Sequence, residues 1–210
     1  DVTREYGALL IFDEVITGFR HALGGYQQVC GVTPDLTTFG KGMANGMPIG
    51  GLAGRRDLMQ HFDGASGDVL LAGTFNGNPL GCAAAIATID YLTAHPEFYQ
   101  RTFDLGDRTR KGLQSVVDEL GIRAVSAGFG GVFALYFMEG EPSGYRDLLH
   151  NDNAAYATFH RRMTENGCLM LPIALKRNHI SGAHTEQDID RTLDTARDVL
   201  LGMRRDGLVR

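Results

Sequence analysis

The sequence predicts an α/β fold in which a mixed sheet of short strands is followed by a smaller α+β part. The first observation is the apolar run 8–12, which ends abruptly at Asp13 and is typical of a strand buried on both faces of a parallel sheet. The second is that further short apolar runs alternate with helical patterns up to about residue 95. The third is the order strand, strand, helix, strand, helix from residue 122 onward.

In the first half, glycine-rich loops separate short elements. The predicted elements are the end of a helix at 1–7, strands at 8–12, 36–39 and 49–54, a loop with short turns at 17–31, and a short helix at 56–62. A longer helix is predicted from Pro79 with Asn78 as its N-cap, because both residue types are favoured at those positions. Apolar residues cover much of its girth, so we expect this helix to be buried, in a subunit interface.

In the second half, the helices are longer and their ends are marked by the sequence. The predicted elements are helices at 98–120, 154–166 and from 186 to the end, and strands at 131–138, 168–171 and 178–183. Gly121 and Gly167 are placed where glycine commonly ends a helix. Thr185 and Asp188 have the spacing of a capping box, which predicts the start of the last helix. We therefore place a domain boundary near residue 100.

Composition excludes several classes of protein. Hydrophobic residues make up 43% of the 210 residues, which is enough for a sizeable core. The formal net charge is -5 and no basic stripe is present, so we expect no nucleic-acid partner. No apolar run approaches the length of a membrane span, and no secretory signal opens the chain. Cys30, Cys82 and Cys168 fit neither a disulfide framework nor a zinc pattern, so we expect free thiols, no metal and a cytoplasmic protein.

A lysine between two glycines follows the second predicted strand. Gly40 and Gly42 flank Lys41, so the backbone there can bend sharply and approach a ligand closely. Asp13 ends the first strand, and the carboxyl ends of strands in open α/β sheets face the ligand crevice. A lysine that forms a Schiff base and an acid that keeps a pyridine nitrogen protonated are the two groups that pyridoxal phosphate chemistry needs.

Each of these groups also has a plainer interpretation. An apolar run that ends in Asp13-Glu14 is similar to the magnesium-binding strand of nucleotide hydrolases. A single lysine is usually a solvated side chain. The phosphate-binding motif Gly-x-x-x-x-Gly-Lys-Ser/Thr is not present around Lys41, because Gly42 follows it. A nucleotide hydrolase and an inert fragment therefore remain as alternatives.

Longer motifs carry a resemblance to a known family. They are DEVITGFR at 13–20, ALGGYQ at 22–27, GVTPDLT at 31–37, GK at 40–41, GMPIG at 46–50, GRRD at 54–57 and AGTFNGNP at 72–79. Together they resemble the class III pyridoxal-phosphate-dependent aminotransferases, and within them the glutamate-1-semialdehyde 2,1-aminomutase branch. The resemblance implies a pyridoxal-phosphate (PLP) fold of type I. Residues 1–100 would be the C-terminal part of the large PLP-binding domain, and residues 101–210 the small C-terminal α+β domain.

The resemblance also implies roles for individual residues. Lys41 would be the Schiff-base lysine and, once released, the base that moves a proton. Asp13 would pair with the pyridine nitrogen of pyridoxal 5'-phosphate, and Val15 would pack on the ring. Gly73 and Thr74 would bind the phosphate of the neighbouring subunit's cofactor. The implied assembly is therefore a homodimer with shared active sites.

The implied reaction is the transfer of an amino group between an amino donor and a carbonyl acceptor. In the aminomutase branch, one five-carbon substrate carries both groups. Phe75 and Asn76 stand where that branch usually has Leu and Ser, and Lys176 stands where an acidic residue is usual. Members of the family are much longer than this chain. We therefore expect it to be the C-terminal half of a longer enzyme, without the family's upstream phosphate-binding loop.

Overall fold

A computed structural model describes residues 1–210, which divide into two compact units. The first unit is Asp1–Tyr99 and the second is Gln100–Arg210. No helix in the chain combines the length and the apolar character that a membrane span requires. The first unit contains helix α1 (Val2–Glu5), strand β1 (Ile11–Asp13), helix α2 (Tyr26–Cys30), strand β2 (Leu36–Phe39), a 3-10 turn (Lys41–Ala44), strand β3 (Gly51–Gly54), helix α3 (Arg56–Met59) with a 3-10 extension (Gln60–Phe62), and helix α4 (Pro79–Ala94).

The sheet of the first unit is mixed and has the strand order β1-β2-β3. Strands β1 and β2 are parallel, and their register places Asp13 opposite Thr38. Strand β3 runs antiparallel to β2, with Gly51 opposite Phe39. The parallel pairing of β1, which its apolar run predicted, is therefore confirmed, and β1 and β2 end at the same edge of the sheet.

Strand β1 is not buried on both faces, contrary to the expectation from its apolar sequence. It begins at Ile11, whose side chain is 57% exposed, and the preceding Leu9 is 47% exposed. A strand is covered on both faces only where neighbouring strands and helices pack against it. Strand β1 has a single hydrogen-bonded neighbour and lies at the edge of the sheet. The predicted loop 17–31 also contains a short helix, α2, which ends at Gly31 with φ +69°.

Helix α4 starts and ends where the sequence predicts, and within this single chain it is only partly covered. Asn78 Oδ1 accepts hydrogen bonds from the backbone N–H groups of Leu80 and Gly81, and the helix ends at Ala94 before His95-Pro96. Only one side of it is covered. Three large apolar side chains on the helix are more than half exposed: Leu80, Ile86 and Tyr91. The helix thus presents an uncovered apolar face.

The second unit is built around three amphipathic helices and an antiparallel sheet of order β4-β5-β6. Its elements are helix α5 (Glu97–Glu119), which begins in the first unit, strand β4 (Val125–Ala127), strand β5 (Val132–Tyr136), a 3-10 turn (Tyr145–His150), helix α6 (Asn153–Glu165), strand β6 (Asn178–His179) and helix α7 (Glu186–Arg205). The core forms where these helices and β5 meet, and Leu113, Leu135, Phe159 and Leu200 are almost inaccessible there. The predicted capping box at Thr185 and Asp188 is confirmed.

Two predicted strands of the second unit are wrong or too long. Residues 168–171 form no strand, and the strand predicted at 178–183 is reduced to Asn178–His179. Side chains take the place of a neighbouring strand at Leu171. Its N–H donates to Asn178 Oδ1 (2.9 Å), and its carbonyl oxygen accepts from the Tyr156 hydroxyl (2.7 Å). Because these backbone groups are satisfied by side chains, no ladder is required there.

Helix α5 makes a close backbone contact that only glycine allows. A Cβ atom on Gly106 would lie 2.0 Å from the carbonyl oxygen of Gly130. The same carbonyl accepts a hydrogen bond from Arg110 Nη1 (2.7 Å), so the loop is fixed against the helix from two positions. The atoms that a Cβ on Gly106 would meet belong to the backbone of Gly130 and Gly131, and not to the flexible end of a side chain that could move away.

Gly106→Ala should therefore destabilise the intact protein, by about 3 kcal/mol, because the backbone itself must shift to admit the methyl group. The change is measured as a lower midpoint of urea unfolding. Gly202→Ala in helix α7 is the matched control, since its Cβ would meet only Arg162 Nη1 at 3.4 Å. That substitution should be neutral or stabilising, as alanine favours a helix interior. Equal midpoints for the two variants would contradict the close contact.

Candidate active site

The structure places Asp13 and Lys41 beyond the ends of neighbouring parallel strands. Asp13 is the last residue of β1, and Lys41 begins the 3-10 turn two positions after β2 ends at Phe39. Because β1 and β2 are parallel and paired in register, their carboxyl ends meet at one edge of the sheet. That edge is where ligands bind in open α/β folds. The two residues that the sequence selects are therefore carried to one place.

Asp13 is held by one of its two carboxylate oxygens. Oδ1 accepts hydrogen bonds from the Thr38 hydroxyl (3.2 Å) and from the backbone N–H of Val15 (3.1 Å). No group of the chain donates to Oδ2, and the side chain is exposed. Thr38 was not predicted as a site residue. Its position opposite Asp13 depends on the register of the two strands, which the sequence alone does not reveal.

Lys41 has a constrained backbone and an unconstrained side chain. Its φ is +42°, in the left-handed region that residues other than glycine rarely adopt. The ammonium group has no hydrogen-bond or ion-pair partner in the chain, and the residue is exposed. A Cβ on Gly40 would lie 3.4 Å from Val15 Cγ1, so Val15 packs beside the turn that carries Lys41. The structure thus brings Asp13, Val15 and the Lys41 turn together.

Glu14, next to Asp13, is a buried and fully engaged carboxylate. It is 1% exposed and accepts hydrogen bonds from the Thr17 hydroxyl (2.6 Å) and from the backbone N–H groups of Tyr26 (2.7 Å) and Gln27 (2.8 Å). Burial raises the pKa of this carboxyl, but the hydrogen bonds from Thr17, Gln27 and Tyr26 outweigh burial, and its pKa is lowered overall. A carboxylate bound in this way is poorly placed to act as a free base in a nucleotide hydrolase.

Gly73 and Thr74 are not joined to Asp13, Val15 or Lys41 by any hydrogen bond. Thr74 is exposed, and its hydroxyl has no partner in the chain. Gly73 belongs to a turn in which its carbonyl oxygen accepts from the Asn76 N–H (3.0 Å). The turn leads into α4, which packs against the 3-10 turn Lys41–Ala44. The helix also closely approaches the segment after that turn, since a Cβ on Gly81 would lie 2.9 Å from the Pro48 carbonyl oxygen.

A cavity of about 710 Å³ lies within the second unit. Its walls include Met170, Asn178 and Ile189, and it contains none of the predicted site residues. Lys176 lies outside its walls, exposed and without an ion-pair partner.

A mixed sheet with an acid and a glycine-flanked lysine at the ends of adjacent parallel strands is the arrangement of fold-type I PLP enzymes. The comparison with known families agrees with this class. The model of the family described as aminotransferase class-III matches residues 1–181. The chain belongs to the class III aminotransferase family. The predicted fold class, the later part of the PLP fold of type I, is confirmed by solved transaminases.

Curated relatives and a solved structure give the degree of similarity. The chain is 42% identical to the glutamate-1-semialdehyde 2,1-aminomutase of Methanosarcina acetivorans, over 92% of this chain and 45% of that protein. It is 41% identical to the enzyme of the same name from Thermomicrobium roseum, over 98% and 47%. A solved transaminase with PLP bound superposes with a TM-score of 0.84 at 29% identity, over 98% and 46%. The chain spans about half the length of the relatives that it matches, and none of the comparisons supports a nucleotide hydrolase.

Proposed function

We propose that this chain contributes the catalytic lysine and the ring-nitrogen acid of a PLP-dependent class III aminotransferase. The reaction is the transfer of an amino group from an amino donor to a carbonyl acceptor. The observation that carries the proposal is the pairing of β1 with β2, which brings Asp13 and the Lys41 turn to one edge of the sheet. Family membership and the similarity to a PLP-bound transaminase support the choice of cofactor.

The functional groups of Asp13 and Lys41 are of the kind that PLP requires. Asp13 Oδ2 is open, while Oδ1 is fixed by Thr38 and Val15, so the carboxylate can accept one more hydrogen bond in a set orientation. A protonated pyridine nitrogen is a donor of the required kind. The Lys41 ammonium group is not engaged elsewhere in the chain. We assign Asp13 to the ring nitrogen, Val15 to one face of the ring, and Lys41 to the covalent attachment.

When bound, PLP supplies an electron sink that stabilises negative charge at the substrate carbon next to the amino group. Asp13 Oδ2 keeps the proton on the ring nitrogen and thereby maintains that sink. Lys41 Nζ would hold the cofactor and, once free, would act as the base that moves a proton from the substrate carbon to the cofactor carbon C4′. Val15 limits movement of the ring, and Thr38 keeps Asp13 from turning away.

The aminomutase reaction is the second candidate, and it is favoured by identities of 42% and 41% to two enzymes of that name. In that reaction one five-carbon substrate carries both the amino and the carbonyl group. A single-substrate assay separates the candidates, because an aminomutase isomerises glutamate-1-semialdehyde without a second amino acceptor. A transaminase requires a donor and an acceptor together.

The proposed attachment can be tested by chemical labelling of the intact protein. After loading with PLP and reduction with borohydride, mass spectrometry should find the cofactor on Lys41 and on no other lysine. The chain offers Lys111 and Lys176 as internal controls. Recovery of the label on either of them would remove Lys41 from the site, and an unlabelled protein would mean that the chain carries no PLP attachment.

We further propose that the intact protein is a cytoplasmic homodimer whose active sites are shared between subunits. Support for the dimer comes from the uncovered apolar face of α4, where Leu80, Ile86 and Tyr91 are more than half exposed. Phe75, in the turn before the helix, is 76% exposed. Apolar surface of this kind marks an interaction site. Free thiols at all three cysteines support a reducing compartment.

In this arrangement Gly73 and Thr74 bind the phosphate of the partner's cofactor, which makes complementation possible. Lys41→Ala and a variant combining Thr74→Ala with Gly73→Leu should each be inactive. A mixed dimer has one site with both defects and one with neither. Random exchange should therefore restore roughly a quarter of the wild-type rate, since half of the dimers are mixed and each has one intact site. Mixtures that stay inactive, although exchange is verified by mass, would show that Thr74 does not serve the partner's site.

A further inference from the structure

The position of Lys41 is set by its surroundings and not by contacts of its own side chain. Its ammonium group has no partner in the chain, yet its backbone is held at φ +42°. Non-glycine residues keep such a conformation only where neighbouring structure imposes it. We propose that Glu14 is a positioning residue for Lys41, acting through the segment 17–27. The proposal rests on the proposed role of Lys41 in holding the cofactor.

Glu14 holds both ends of the segment 17–27 by hydrogen bonds. Its Oε2 accepts from the Thr17 hydroxyl at 2.6 Å and from the Tyr26 N–H at 2.7 Å, and its Oε1 accepts from the Gln27 N–H at 2.8 Å. Its own backbone is tied to the sheet, because its N–H donates to the Thr38 carbonyl oxygen at 3.0 Å. A single side chain thus fastens both ends of the segment to the edge of β2.

The fastened segment lies directly against the turn that carries Lys41. A Cβ on Gly18 would lie 2.8 Å from the Glu14 carbonyl oxygen and 3.1 Å from Phe39 Cδ1. The rings of Phe19 and Phe39 pack with their centroids 5.7 Å apart. A Cβ on Gly42 would lie 3.5 Å from the Gly18 carbonyl oxygen. The segment therefore touches the chain on both sides of Lys41, at Phe39 and at Gly42.

A second contact braces the same segment from helix α5. The Tyr99 hydroxyl donates to the carbonyl oxygen of Phe19 at 3.3 Å. Phe19 has φ +59°, another left-handed conformation that needs support from its neighbours. The packing of Phe19 on Phe39 therefore connects one strained residue, Phe19, to the chain two positions before the other, Lys41. Displacement of the segment would release both.

Only a carboxylate satisfies the three donors around Glu14. Glutamine would place an NH₂ group where either Oε1 or Oε2 now accepts from an N–H, so two donors would oppose each other in a buried site. The side chain at position 14 also has no room to move towards Gly25, which precedes helix α2. A Cβ on Gly25 would lie 2.6 Å from Oε2, and Gly25 has φ +78°. Glu14→Gln is therefore a near-isosteric change that should displace the segment.

The test compares Glu14→Gln with wild type in the intact PLP-loaded protein, and uses turnover per labelled site as the readout. Borohydride labelling counts the sites in which Lys41 carries the cofactor. We expect labelling at Lys41 to persist, kcat per labelled site to fall about 100-fold, as for a reacting group displaced by about 1 Å, and KM to change less than threefold. The pH midpoint of the bound cofactor's absorbance should also shift. Glu165→Gln, the same substitution at an exposed carboxylate that ends helix α6, is the control and should alter none of these.

The outcomes separate this proposal from the proposed function. If wild-type Lys41 takes no label, the proposed function fails. If Glu14→Gln is labelled at Lys41 and keeps both its kcat per labelled site and its absorbance midpoint, Glu14 has a structural role only and the proposal is overturned. If Glu14→Gln does not fold, Thr17→Val decides, because it removes one of the three hydrogen bonds. In that variant kcat per labelled site should fall roughly tenfold. The loss is smaller than in Glu14→Gln because the segment 17–27 is displaced less when only one of the three hydrogen bonds is removed. An unchanged value would overturn the proposal.

Discussion

Replacing Lys41 with alanine should lower kcat of the intact enzyme by on the order of 10⁴-fold, because proton transfer by a positioned base and covalent attachment are lost together. The structure gives no substitute, since the chain contains only two other lysines, at positions 111 and 176, and neither follows a strand of the β1–β2 pair. The fold should be retained, because the Lys41 side chain makes no hydrogen bond or ion pair. PLP should still bind, but borohydride should no longer fix it to the protein.

The matched control is Lys111→Ala on helix α5, where the lysine side chain is 82% exposed. We expect this variant to keep the wild-type rate and the label at Lys41. Added methylamine offers a second check, since a small amine can supply the missing base and should restore part of the activity of Lys41→Ala. Turnover in Lys41→Ala within about tenfold of wild type would be incompatible with the assigned role.

Asp13→Asn should lower kcat about 100-fold or more, the effect of removing one preorganised electrostatic partner. The reason follows from the hydrogen bonds of Asp13. An asparagine whose oxygen replaces Oδ1 still accepts from Thr38 and Val15, which keeps the local structure. Its NH₂ group then takes the place of Oδ2 and offers a donor to a ring nitrogen that is itself a donor. The proton on that nitrogen is no longer stabilised, and the electron sink is weakened.

The measurement is kcat together with the affinity for PLP and the unfolding midpoint. The midpoint should stay within a few degrees of wild type, while kcat falls. Thr38→Val supplies a graded comparison, because it removes one hydrogen bond to Oδ1 and leaves the charge of Asp13 in place. We expect a loss of about tenfold in that variant, which is the scale of one hydrogen bond. Near-normal turnover in Asp13→Asn would show that another group holds the ring nitrogen.

Local features were predictable from the sequence, and features that depend on distant pairing were not. The strand Leu36–Phe39, the cap at Asn78 and the capping box at Thr185 all follow from residues close together in the chain. The exposure of β1 does not, because it depends on which elements cover the strand. The strand predicted at 168–171 failed because side chains, and not another strand, satisfy the backbone of Leu171.

The same distinction applies to the site. Asp13 and Lys41 were found because each stands at a recognisable local pattern, a strand end and a glycine-flanked turn. Thr38 reaches Asp13 across 25 positions of sequence, and Glu14 reaches Tyr26 and Gln27 across 12 and 13. Strand register places Thr38 beside Asp13, and the folding of residues 17–27 back onto Glu14 places Tyr26 and Gln27. Composition and periodicity encode neither arrangement.

The edge position of β1 has a practical consequence for handling the 210-residue chain. Its outer side presents unpaired backbone N–H and C=O groups beside the exposed Leu9 and Ile11. Such an edge is a template on which a strand of any neighbouring molecule can be added, and short charged or covered edges are the usual protection. Although β1 has only three residues, which limits such growth, its edge is where intermolecular sheet would begin in concentrated solutions of the isolated chain, and Ile11→Lys is the substitution that would interrupt it.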